Sequence, residues 1–264
     1  MGLLNTSGII IKQINFGEAD KILTIMTKDY GKLQALARGA RRTNNRFLAS
    51  TQLFCYSNFI FFQGKSMNYI NTAELRESFY NLRKNIKDFT YASYIIELMN
   101  GALEENQKEE KHFFLLIHTL KHMTYSKNLD LDLIKLAFQI KLMALSGYAP
   151  HLSNCVSCGE VLKGKIKFSI ENGGTLCSNC FHLDPYGKRI SGEEISIISY
   201  ILYNPLSALS KIEIKNTFLR QLNNIMDTYV SKYLEKSFHT LDFLNIIDSN
   251  MNGNNLYKGD GKIV

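Results

Sequence analysis

The sequence predicts an α+β protein: a small N-terminal β-barrel, then an all-helical domain that carries a four-cysteine metal module. Three observations lead there. Apolar residues fall in short, turn-bounded runs up to Leu75. From Phe79 onward they recur at helical spacing. Four of the five cysteines lie between Cys155 and Cys180 as two CxxC pairs.

The barrel is read from five runs. GIIIKQI at 8–14, ILTIMT at 22–27 and KLQALAR at 32–38 are apolar, the first two rich in β-branched residues. Phe16-Gly17-Glu18 and Lys28-Asp29-Tyr30-Gly31 supply the turns between them. QLFCYSNFIFF at 52–62 and SMNYINTAEL at 66–75 follow, joined through Gln63-Gly64-Lys65. Alternation puts Leu53, Cys55, Ser57, Phe59 and Phe61 on one face, and Phe54, Tyr56, Ile60 and Phe62 on the other. Both faces are aromatic-rich, so one either meets a partner or is buried against the next domain. Five strands of this length match a closed barrel of the OB type.

The helical part begins with Leu82, Ile86, Phe89, Ser93, Ile96 and Leu103 on one face. The charged stretch 104–111 reads as a solvated break without a function. Phe113, Leu116, Ile117 and Leu120 mark a second helix. Asp130 and Asp132 open a third, where carboxylates suit the positive end of the helix dipole. That helix is apolar on most sides from Leu133 and ends at Gly147 and Pro150. Two more occupy 193–203 and 214–234, with Ser191 and Glu194 as a capping box before the first and Pro205 between them. The expected divisions are an OB barrel over 1–79, helices over 80–150 and 191–248, a cysteine module over 151–190, and a disordered polar tail over 249–264.

The net charge is +7. Residues 1–80 contribute ten Lys/Arg against five Asp/Glu, so the excess is concentrated in the barrel. That favours a polyanionic partner, since neutralising phosphates supplies most sequence-independent nucleic-acid affinity. The densest stretch holds Lys28, Lys32, Arg38, Arg41, Arg42 and Arg46 with one acid, Asp29. Arginine forks match phosphate oxygens in pairs. Tyr30 and Phe47 bracket the stretch as surfaces on which unpaired bases could stack. No apolar run reaches the roughly 18 residues that a membrane helix needs. The opening MGLLNTSGIIIKQ shows neither a charged leader nor a cleavage site, so no signal peptide is expected.

Cys155, Cys158, Cys177 and Cys180 have zinc-ribbon spacing. Each CxxC knuckle sets two thiolates on one side of a turn, and two knuckles complete a tetrahedron. Four thiolates close the shell, so the expected ion is one structural zinc rather than a catalytic one. His151 and His182 are nearby but superfluous to a full shell. A redox-active CxxC would need a βαβ setting, which the pattern lacks. Cys55, inside a strand pattern, reads as a small buried hydrophobe.

These residues resemble the bacterial recombination mediator family RecO. The opening is similar from residue 8: Glu18 and Asp20 precede the second strand, followed by Thr27, Tyr30-Gly31-Lys32 and the run ARGARR. The pattern F-S-x-E-x-G-G-x-L-C-x-x-C at 168–180 resembles the zinc-bearing branch, and EKSFHTLDFL at 235–244 the family's closing helix. The likeness spans residues 8 to 247, nearly the whole chain. It implies a cytoplasmic, nucleoid-associated protein that binds single- and double-stranded DNA and anneals complementary strands. It also implies partnership with RecR and with the acidic C-terminal tail of single-strand binding protein, received in the helical domain. RecA would be reached indirectly, by loading onto coated single strands. The match carries DNA contact over to Lys32, Arg38, Arg41 and Arg42; Lys28, Tyr30 and Arg46 join them from the basic stretch.

Two rival classes compete with this reading. An enzyme would need an open metal site or an activated nucleophile, and the sequence holds no HExxH, P-loop, Rossmann glycine run or GxSxG. The expectation is therefore a protein without catalysis. A zinc-ribbon transcription factor reading duplex sequence is the alternative, and it should discriminate between duplexes by about a thousandfold or more.

Overall fold

The computed structural model describes residues 2–126 and 130–253. Strands β1 (Leu3–Phe16), β2 (Asp20–Thr27), β3 (Gly31–Ala37), β4 (Tyr56–Gln63) and β5 (Asn68–Glu77) close into a barrel in the order β1-β2-β3-β5-β4. Every pairing is antiparallel except β3 with β5. β1 begins five residues before the expected run, because Asn5, Thr6 and Ser7 hide it from a search for apolar alternation. That early half pairs with β4 and shuts the barrel, while Gly8 onward pairs with β2. Gly8 lets β1 bend across the interior, since a Cβ there would meet Ile25 Cγ2 at 2.6 Å. Residues 52–55, expected as strand, instead form a turn in which Phe54 adopts φ 71°.

Ile10, Leu23, Ile25, Phe59, Phe61 and Ile70 fill the barrel interior. The long β3–β4 connection folds back over one end, and its Ala40 and Phe47 join that core. The second aromatic face goes to the next domain at Phe54 and Tyr56, while Phe62 at its far end is exposed. Phe54 meets Phe89 edge-on at 5.6 Å and Tyr56 meets Phe113 at 6.2 Å. Ile9, Ile11 and Met26, on the outside of the barrel, belong to the core of the helices. The two domains therefore share apolar contact along β1 and β2.

The segment read as a solvated break reinforces this union. Asn106 N–H donates to Lys32 O at 2.8 Å, and Gln34 Nε2 donates to Glu105 Oε1 at 2.6 Å. Gly31 lies at φ +67°, with Gln107 O only 1.7 Å from where a Cβ would stand. No other residue fits that approach.

Helices α1 (Ile86–Ala102), α2 (Glu110–Tyr125), α3 (Leu131–Leu145), α4 (Gly192–Tyr203), α5 (Asn216–Tyr233) and α6 (His239–Gly253) form the second domain. Asn85 and Asp130 cap α1 and α3, and Ser191 with Glu194 forms the expected capping box. α3 is the central helix, with Leu136, Ala137, Phe138, Ile140, Leu142 and Met143 all fully buried. The expected stripe is inward at Leu82, Ile96 and Leu103 but not at Ile86, which is 62% exposed, and Tyr91, Tyr94, Ile95, Leu98 and Met99, off that stripe, are buried as well. The apolar residues of α1 surround the axis, so spacing alone does not choose a face. α6 runs to Gly253, past the expected boundary at 248, and the rest of the expected tail, 254–264, lies outside the described residues.

A polar network ties α3 to α5 through this apolar interior. Lys135 Nζ lies 3.0 Å from Asp227 Oδ2, and Gln139 Nε2 donates to Asp227 Oδ1 at 2.7 Å and to the Tyr94 hydroxyl at 2.8 Å. Burial first, and then the Asp227 charge, push the Tyr94 phenol well above its ordinary value.

Between α3 and α4 sits the cysteine module, with the sheet order β7-β6-β8 for β6 (Ile166–Ser169), β7 (Gly174–Cys177) and β8 (Lys188–Ile190). Two tyrosines of α5 bolt it to the helices. Tyr233 donates to Ile170 O and Tyr229 to Tyr148 O, both at 3.1 Å, and the Tyr229 ring lies 5.8 Å from Phe168.

Candidate nucleic-acid interface and metal centre

The structure divides the basic stretch into two groups. β2 and β3 form a hairpin in which Thr27 faces Gly31 at one end and Lys21 faces Ala37 at the other. At about 3.3 Å per residue these ends lie roughly 20 Å apart. Lys28, Tyr30 and Lys32 belong to the first end, Arg38, Arg41, Arg42 and Arg46 to the second.

At the first end the cations are occupied by the helical domain. Lys32 is only 9% exposed and donates to Asn100 O at 2.8 Å. Burial lowers its pKa. It is thus an interdomain tie, set apart from the exposed arginines at the other end. Lys28 lies 3.8 Å from Glu110 Oε1 and over the Phe114 ring. Tyr30 is half-buried against the barrel core.

At the second end the arginines face water. The sharp turn at Gly39 (φ +65°) is fixed from both sides, by its amide on Asp20 Oδ1 at 2.7 Å and by Asn45 Nδ2 on Arg38 O at 3.1 Å. Arg41 N–H donates to Ala19 O at 2.9 Å, which docks the turn on the β1–β2 hairpin. The Arg38 guanidinium stacks 4.7 Å over Tyr69, and Arg46 stacks at the same distance over Phe47 while donating to Asn71 O. Arg42 is exposed and, among the described residues, free of any ion pair. Lys21 adds to this rim; burial first, then the Arg41 charge, lower its pKa, as expected where positive potential accumulates. Phe47, expected to stack bases, is 5% exposed and serves the barrel core. Tyr69 on β5 and Phe16, 52% exposed at the end of β1, provide aromatic surface instead. Alternation along β5 marks Tyr69 as outward-facing, but only the parallel β3–β5 pairing, with Leu36 opposite Tyr69, brings it beside Arg38.

The four cysteine sulfurs lie within 4.8 Å of one another. The Cys158 and Cys177 sulfurs are 3.6 Å apart. A tetrahedral ion with metal–sulfur bonds of about 2.3 Å requires sulfur separations of about 3.8 Å. The donor set fits an ion of that kind. Gly159 at φ +76° closes the first knuckle, its N–H donating to Cys155 O at 2.9 Å. Burial opposes ionisation of Cys155, but the backbone amides of Cys158, Cys177 and Ser157 outweigh it and bring the thiol to about 6. Burial and the neighbouring thiols push Cys180 up to about 12. A cation would relieve that crowding of thiols by binding all four as thiolates. His151 and His182 are both at the surface, and neither belongs to the sulfur cluster. Cys55 is buried, its thiol donating to Ala49 O.

The model of the recombination protein O N-terminal domain matches residues 1–79, and that of the C-terminal domain matches residues 83–242. The chain belongs to the recombination protein O family. Three relatives called DNA repair protein RecO support this over nearly full length. That of Acetivibrio thermocellus is 36% identical, with 94% of this chain and 98% of the relative aligned. That of Alkaliphilus metalliredigens is 36% identical over 91% and 98%, and that of a Thermoanaerobacter species 37% over 93% and 98%. The RecO family match covers both the arginine rim and the four cysteines. No helix among the described residues is long and apolar enough to cross a membrane.

Proposed function

We propose that this chain is a recombination mediator without catalysis, which binds single- and double-stranded DNA through the arginine rim and anneals complementary strands. The observation that carries this is the rim itself: Arg38, Arg41, Arg42 and Arg46 gathered on one end of the barrel, with half-buried Tyr69 and exposed Phe16 as aromatic surface. Guanidinium groups hold the phosphates of a strand, while its base edges stay free to pair. The ion in the four-cysteine site is a single structural zinc, since four thiolates leave no position for water or substrate. With RecR, the chain helps load RecA onto single strands coated by single-strand binding protein, in the cytoplasm at the nucleoid.

Charge reversal tests the rim. The Arg41→Glu/Arg42→Glu variant should bind single strands at least tenfold more weakly, equally for all sequences. The slope of log affinity against log salt should become shallower by about 0.7 for each phosphate that is no longer neutralised. Unchanged affinity in titrations at low salt would reject the assignment. Strong preference for one duplex sequence would point instead to the transcription-factor alternative.

The acidic tail of single-strand binding protein is assigned to a groove between α2, α3 and α4. This cavity of about 720 Å³ has an apolar floor that includes Phe114, Leu115 and Leu202 and a rim that includes Lys111, Lys121 and Lys141. Such a groove suits a short peptide combining carboxylates with apolar side chains. Lys121→Glu should weaken binding of an acidic tail peptide about tenfold in fluorescence anisotropy and leave DNA affinity unchanged. Equal peptide affinity would remove the groove from the proposal.

A further inference from the structure

The cysteine module carries a second cationic surface, on a different domain from the arginine rim. Residues 151–190 hold Lys163, Lys165, Lys167, Lys188 and Arg189 against Glu160, Glu171 and Asp184. Two of those carboxylates are engaged. Glu171 pairs with Lys232. Asp184 is 4% exposed and accepts from the Ser169 hydroxyl at 2.6 Å. Among the described residues, none of the five cations has an ion-pair partner. A divalent ion on four thiolates leaves a formal charge of about −2, so the module as a whole is close to neutral, and its positive potential is confined to the face where these unpaired cations lie away from the sulfurs and from buried Asp184.

The placement of these cations is set by the small sheet. β8 is its outer strand, and the register puts Arg189 opposite Lys167 on β6. Lys165, two residues earlier, is exposed beside them. Lys188 precedes Arg189 on the edge strand and is also exposed; it lies opposite Phe168, so it leaves the open edge of the sheet on the other side from Arg189. Just ahead of β8 stands Tyr186, 89% exposed. The turn that presents it is braced: buried Asp184 accepts from Tyr186 N–H at 3.0 Å, and Asp184 O accepts from Gly187 N–H at 3.2 Å. An aromatic ring held out in water on a fixed turn next to unpaired cations is the arrangement that grips unpaired nucleotides.

We infer that this open sheet edge binds a second nucleic-acid strand, with phosphates on Lys165, Lys188 and Arg189 and a base stacked on Tyr186, while the arginine rim holds the first strand. The inference rests on the reading of the chain as a strand-annealing protein. Annealing requires two polyanions on one body at once, and a rim that has neutralised one strand has little charge left for the other. Two separate cationic surfaces resolve that. The tyrosine anchors of the module and the shared core of barrel and helices keep them at a fixed separation.

The test uses the full chain loaded with zinc and two non-complementary oligo-dT strands, one carrying a donor dye and one an acceptor. The wild type should bring both dyes into one complex. Lys165→Glu/Lys188→Glu/Arg189→Glu should bind a first strand within about twofold of wild type, lose the transfer signal, and anneal complementary strands at least tenfold more slowly. Tyr186→Ser keeps every charge and touches no core residue. It should slow annealing about fivefold or more, the lower range for one lost base stack. Zinc content and melting temperature, measured on the same samples, confirm that each variant is folded. Undiminished co-binding and annealing in both variants would overturn the inference, as would a variant that anneals normally but loses a protein partner. A wild type that binds no strand at all would instead sink the functional reading beneath it.

Discussion

Removing the metal from the four-cysteine site, or replacing Cys177 by serine, should unfold the segment 151–190 while the barrel stays intact. An ion bound there would hold together a sheet of three short strands whose own apolar cluster is small: Cys155, Leu176, Cys177 and Cys180, with Val156, Leu162 and Phe181 beside them. Three of those seven residues are the ligands themselves, so without the ion little else holds the knuckles. In isolated zinc modules the ion contributes about 10–16 kcal/mol, and it is the folding energy. Here Phe168 and the tyrosine anchors keep part of the sheet attached, so the loss is local. Chelation should release one ion per chain, open the 151–190 segment to protease, and lower the melting temperature by roughly 10 °C. First-strand affinity at the arginine rim should change less than about twofold, because phosphate contacts there do not involve the module. A protein that carries no ion, or that resists protease equally with and without it, would overturn the metal assignment.

Asp227→Ala should be the most damaging single substitution in the helical core outside the metal site. It strands Lys135, whose side chain is 7% exposed, and removes one of the two acceptors of Gln139 Nε2. Breaking one side of a buried ion pair costs about 3–5 kcal/mol, mostly through the charge left without a partner. Each kcal/mol lowers the melting temperature of a chain this size by about 2–4 °C. The double change Lys135→Met/Asp227→Leu should recover most of that loss, since apolar replacement of both partners is often neutral or stabilising. Urea unfolding of the three proteins decides it. A single-variant loss below about 1 kcal/mol would mean that water reaches Lys135.

How far the site could be read in advance depended on whether its residues are close in sequence. The four-cysteine cluster was fully legible, because CxxC spacing makes each pair by itself and only the joining of two pairs is long-range. The arginine rim was legible as a charge excess but not as a shape. Lys32 and Arg38 look equivalent in the sequence, six positions apart on one strand and its exit. One points its ammonium at Asn100 O and the other lies in water over Tyr69. Nothing in the local pattern distinguishes them, since the difference comes from which end of the hairpin the helical domain covers.

The sequence by itself determined the existence of the five strands, the helix starts at Asp130 and Ser191, and the gathering of the four cysteines. Each follows from interactions within a few residues: side-chain alternation, N-cap hydrogen bonds and knuckle geometry. Only the tertiary structure decided which cations remain free, which aromatic face of β4 is buried, and that Glu105–Gln107 clamp the barrel instead of lying loose in solvent. Those outcomes depend on long-range packing, where the free energy of a side chain is set by the surface opposite it rather than by its neighbours in the chain.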